Sequence, residues 1–171
     1  MKLQKSLYYL YATYLQETGR PLFAERFMRA ENGPVLQDVA IAYEQLSGGP
    51  ALASDNGQAV DRGKPIQAFM LDTSGKKQYV MKASDPDYRR IFEKVWNRVK
   101  YYTGSELSER THLGGAWRNA DEGCILQDDD IMNDHTMPEQ RDAPVSYSFP
   151  PERFRDKFIR SLASLIGARL T

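Results

Sequence analysis

The chain has 171 residues, of which 41% are hydrophobic, 27% charged and 11% aromatic, enough apolar material to bury a core without disulfide or metal staples. Basic and acidic residues balance at 23 each, so no net field draws the chain to phosphate backbones or anionic lipid, which argues against non-specific nucleic-acid or membrane-surface binding. The lone Cys124 closes no internal disulfide and builds no multi-cysteine metal site, a pattern that fits a reducing cytoplasm.

Along the chain, Leu3, Leu7, Leu10 and Tyr14 recur at helical spacing, and Gly19 with Pro21 beyond it supplies the stop. Tyr8, Tyr11 and Leu15 widen that stripe, which predicts a first helix buried on more than one side and central to the fold. The lysines ahead of this apolar run do not make a secretion signal, because tyrosines interrupt the run and no small-residue cleavage site follows. No stretch approaches the roughly 20 apolar residues that span a bilayer.

From Leu22 to Ala30 the alternation of Phe23, Glu25, Phe27 and Arg29 is consistent with a short extended segment or a helical turn. Asn32-Gly33-Pro34 is a turn signal, from which a second helix is expected to start, carrying Val35, Val39, Ala42, Tyr43 and Leu46 and ending near Ser47-Gly48-Gly49-Pro50. Small and polar residues from Pro50 to Gly63 read as a surface loop, and the apolar runs Ile66 to Leu71 and Tyr79 to Met81 as a hairpin with a longer loop.

Ser84 or Asp85 is placed to cap the next helix, with Pro86 at its first position and Tyr88, Ile91, Phe92, Val95, Val99 and Tyr102 as its stripe up to Gly104. A shorter helix over Ser105 to Leu113 and a Gly114-Gly115 break lead into Ala116 to Ala120. Residues 128–142 hold Asp128, Asp129, Asp130, Asp134, Glu139 and Asp142 against Arg141 alone, a solvated acidic stretch. After Pro150-Pro151 a final helix sets Phe154, Phe158, Leu162 and Leu165 on one side with Arg153, Arg155, Lys157 and Arg160 around them.

Chemistry is sparsely signalled. There is no phosphate-cradling glycine loop and no dinucleotide fingerprint, so no cofactor is expected. Asp128, Asp130 and Asp134 with His135 admit a metal-dependent hydrolase, but successive aspartates in a loop cannot all point at one ion and serve equally as caps and solvated surface. Trp117, five residues after His112 across two glycines, reads with it either as a packing lock between helices or as a small recognition pocket.

Taken in order, four segments resemble the Panacea antitoxin domain. Met1 to Tyr9, with Leu3, Gln4, Lys5, Tyr8 and Tyr9, is similar to that family's first helix, and Thr18 to Phe23 follows it as expected. Asn32-Gly33-Pro34-Val35 is similar to its Gly-Pro-Val turn. Ser108 to Trp117, with Thr111, His112 and Trp117, resembles its Thr-His and Trp element. Residues 48–83 look longer than in the simplest members, and Gly114-Gly115-Ala116 stands where a Gly-Pro step often precedes the Trp.

The resemblance implies one helix-dominated domain over residues 1–171, mainly α with a small β element, bearing a variable loop or hairpin insertion at about 48–83. It implies an antitoxin that neutralises a cognate protein toxin by direct binding. The family's partners include alarmone-synthetase-like toxins that modify nucleotides or tRNA, and the family includes an adaptor that delivers its partner to the ClpXP protease. The first candidate for toxin contact is the acidic set Asp128, Asp129, Asp130 and Asp134, which would complement a basic nucleotide-handling cleft. DNA enters only as an autoregulatory ligand of the basic final helix.

Overall fold

The computed structural model describes residues 1–41, 70–71, 77–78, 86–143, 155 and 159. The expected surface loop, the end of the second helix and most of the final helix lie outside them. The described fold is mainly α. Helix α1 (Lys2–Thr18) is followed by helical residues 37–41 (α2), then α3 (Pro86–Val99), α4 (Gly104–His112), α5 (Gly115–Asn119) and α6 (Asp128–Met132). The strands β1 (Met70–Leu71) and β2 (Lys77–Gln78) are antiparallel, pairing Met70 with Gln78 and Leu71 with Lys77, so the described pairing falls on residues just ahead of the expected Tyr79 to Met81 run, which lies outside the described residues.

Every residue of α1 from Lys5 to Leu15 is buried. Its stripe is widened by Tyr8, Tyr9 and Tyr11 until no face is left for solvent, and α3, α4 and α6 all pack against it. From α3 come Ile91, Phe92, Val95, Trp96 and Val99, from α4 Leu107, and from α6 Ile131. Tyr8 and Tyr11 meet Phe27 edge-on, with ring centroids 5.3 and 5.6 Å apart, a geometry the ring quadrupoles favour.

The segment after α1 is extended rather than helical. Met28 lies at its centre, bridged on one side to Val35 and on the other to Ile125, both antiparallel. Side chains therefore alternate across this small ladder: Phe27, Leu36 and Leu126 enter the core, whereas Met28 and Val35 are partly buried and Ile125 is exposed on the outer face. The Asn32-Gly33-Pro34 turn thus joins two extended segments, and α2 starts at residue 37, later than expected. Val35 is used for pairing with Met28 before the helix begins.

Helix α4 starts one residue earlier than the Ser105-Glu106 pair suggests because Thr103 is its cap. The Thr103 hydroxyl accepts from the Glu106 amide at 3.2 Å, and Glu106 returns a carboxylate to the Thr103 amide at 2.7 Å. Arg141 closes on the same Glu106 through both terminal nitrogens, at 2.8 and 2.9 Å, and lies 3.9 Å from the Tyr102 ring centroid. Chiefly this arginine, helped by the Thr103 bonds, holds the Glu106 carboxyl down at about 2. The acidic run is also less irregular than expected, for Asp128, Asp129 and Asp130 form the first turn of α6, where negative charge offsets the helix dipole.

The turn at Gly33 places the sharpest demand on the backbone. Its φ is +93°, and an added Cβ would lie 2.5 Å from the Thr111 hydroxyl and 2.9 Å from Lys5 Nζ. Gly33→Ala is expected to cost about 1–2 kcal/mol for the left-handed backbone and about 1–3 kcal/mol more for overpacking. Denaturant unfolding checks this, and a loss below about 1 kcal/mol would show that the turn relaxes freely.

Candidate functional site

Several of the residues singled out in the sequence converge on the 30–36 turn, from three directions. From α1, the Gln4 side chain acts as a surrogate strand: Nε2 donates to the Leu36 carbonyl at 2.9 Å and Oε1 accepts from the Leu36 amide at 2.9 Å. One helical step on, Lys5 is 1% exposed and donates from Nζ to the Pro34 carbonyl at 2.8 Å. From α4, Ser108 Oγ donates to the Asn32 carbonyl at 2.6 Å, and fully buried Thr111 bonds back to the Ser108 carbonyl at 2.7 Å.

From α5, the Trp117 indole N–H donates to the Ala30 carbonyl at 2.9 Å. The same ring stacks on His112 with centroids 4.1 Å apart and carries the Arg29 guanidinium 4.4 Å from its centre. His112 Nε2 is buried without a hydrogen-bond partner, and burial pushes the imidazole pKa down, which keeps the ring neutral near pH 7. The indole is thereby engaged by His112, Arg29 and Ala30.

Tyr8, Tyr9 and the acidic set belong to a second cluster on the same helix. Tyr8 donates to Asp134 Oδ2 at 2.5 Å, and burial, followed by that carboxylate, pushes its phenol pKa far up. The Tyr9 hydroxyl reaches the Leu107 carbonyl at 3.4 Å. Asp134 is only 5% exposed, with Oδ1 buried and unpartnered, and it presses against Gly114, where a methyl would fall 2.1 Å from Oδ2. Leu3 packs partly buried against the core.

The acidic residues are therefore divided. Asp134 is spent inside the molecule, and Asp128 accepts from the Tyr11 hydroxyl at 2.9 Å and pairs with Arg26 at 3.4 Å. Asp129 is exposed, Asp130 half-buried and His135 exposed. From the sequence alone the run reads as one solvated patch, because nothing local distinguishes Asp134. Its partner Tyr8 lies 126 residues away. Among the described residues no group of three His, Cys, Asp or Glu side chains is placed to hold a metal ion.

Lys5 has no carboxylate partner among the described residues, and burial alone lowers its pKa from 10.5 to about 7. Below about pH 7 the ammonium is charged in both folded and unfolded chains. Between about 7 and 10.5 the unfolded chain holds the extra proton, so stability rises with pH across that window. The unfolding free energy of the native chain relative to Lys5→Met is accordingly expected to climb from pH 7 to pH 10 and to be flat below about pH 6. A difference independent of pH over the whole range would mean that Lys5 is not desolvated.

Comparison with known proteins gives one family. The family model described as "Antitoxin SocA-like, Panacea domain" matches residues 3–118, a stretch that contains Gln4, Lys5, Gly33, Pro34, Thr111, His112 and Trp117. No curated protein and no solved structure matches. On a match covering more than half of its length, the chain belongs to the SocA-like antitoxin family with a Panacea domain.

Proposed function

We propose that the chain is an antitoxin that neutralises a cognate protein toxin by direct binding and carries out no chemistry of its own. The observation that carries this reading is the family match, joined to the use its residues find in the fold. Gln4, Lys5, Ser108 and Trp117 spend their polar atoms on the carbonyls and amide of one turn, which is the work of a scaffold. Function then falls to the surface that the scaffold carries.

The exposed carboxylates of Asp121, Glu122 and Asp129, with half-buried Asp130, suit a toxin that handles nucleotides or RNA, since such an enzyme presents a basic cleft. Stable inhibition requires an interface of about 800 Å² on each partner. No helix among the described residues is long and apolar enough to cross a membrane.

Co-expression of the full chain with the product of the neighbouring gene tests the proposal. Growth rescue together with a complex that survives purification is the expected result. Rescue that disappears in cells lacking ClpXP would instead make the chain an adaptor for proteolysis. A neighbouring product that is toxic and stays toxic would remove the antitoxin reading.

A further inference from the structure

The small ladder centred on Met28 has two edges, and they are treated differently. On one side the Leu36 amide and carbonyl are both taken by the Gln4 side chain, so that edge is sealed. On the other, Arg29 N–H donates to the Cys124 carbonyl and Leu126 N–H to the Phe27 carbonyl, both at 2.8 Å. In an antiparallel pair this pattern turns the intervening residue's N–H and C=O away from its neighbour. Ile125 is that residue. Among the described residues its N–H has no acceptor and its carbonyl is met only by the exposed Gln127 side chain, at 3.2 Å.

Ile125 is also 48% exposed, and it continues the outer apolar row of Val35 and Met28. Open strand edges are ordinarily blunted by a charge, a proline or a cover, because they recruit other strands. Here the charges flank the edge strand in sequence, at Asp121, Glu122 and Asp129, all exposed and in no ion pair among the described residues. Of the arginines of the adjoining strand, Arg26 is paired with Asp128 and Arg29 is drawn over the Trp117 ring. Two copies of this edge would bring like charges together. A basic strand meets opposite charge on both flanks.

We propose that the Ile125 edge is the docking site for an extended, lysine- or arginine-bearing strand of the toxin, which adds to the Val35, Met28, Ile125 ladder and packs an apolar side chain on its outer row. Backbone pairing supplies affinity and the flanking carboxylates supply selection for a basic strand. The edge lies beyond residues 3–118, so it is carried by the part of the chain that the family model does not cover. This inference rests on the antitoxin reading.

The test uses the full chain and the product of the neighbouring gene, with growth rescue, affinity and amide hydrogen exchange as readouts. Two variants are compared with the native chain. Ile125→Pro deletes the outward N–H while leaving the inward bonds of Cys124 and Leu126, and its fold is checked by thermal melting. The triple variant Asp121→Lys, Glu122→Lys, Asp129→Lys reverses exposed charges only.

The expected result is protection of the Ile125 amide in the complex, with affinity at least about tenfold weaker for Ile125→Pro and association about tenfold slower for the triple variant at low salt. A native complex in which the Ile125 amide exchanges freely and the triple variant binds like the native chain overturns the edge assignment and leaves the antitoxin reading standing. A native chain that neither rescues nor binds removes both.

Discussion

The fold depends on one unusual demand, a helix that is buried on all sides and is nevertheless rich in polar side chains. Between Lys5 and Leu15 every residue of α1 is buried, yet the segment holds Lys5, Ser6, Tyr8, Tyr9, Tyr11 and Thr13. A buried polar group left without a partner costs about 1–3 kcal/mol, so a few unmet groups would consume most of the stability of an ordinary domain. Thr13 finds its acceptor locally, at the Tyr9 carbonyl. Lys5, Tyr8, Tyr9 and Tyr11 reach segments far away in sequence, at Pro34, Asp134, Leu107 and Asp128. Of the buried hydroxyls on this helix, Ser6 Oγ is left without a partner.

Those bonds explain why residues after the family-matched stretch stay attached to the core. Gln16 donates to the carbonyls of Ile131 and Asp134, Tyr11 holds the Asp128 carboxylate at the start of α6 and Tyr8 the Asp134 carboxylate just beyond its end, and Ile131 enters the apolar core between them. The same anchoring sets the strand at Cys124 to Leu126 against Phe27 to Arg29. A segment outside the matched region is thus held against the core by residues within it. The buried Lys5 at the centre of the turn is costly to desolvate, and its ammonium is directed at the Pro34 carbonyl.

By itself the sequence determined what depends on near neighbours. Apolar spacing sufficed for α1 and α3, glycine and proline for the turn at Gly33, and motif order for the family, because each is encoded over a few residues and survives without knowledge of distant contacts. What only the tertiary structure decided is which side of each residue faces a partner. Asp134 and Asp129 are alike in sequence and sit five positions apart, but one lies under Tyr8 and Gly114 and the other in solvent. Likewise Val35 has helical spacing to Val39 yet pairs as a strand, since Met28 offers backbone bonds that the first turn of a helix leaves unmet. The edge at Ile125, open among the described residues, exists only through the pairing of chain segments about a hundred residues apart, and a long-range backbone ladder of that kind leaves no periodic trace in either segment.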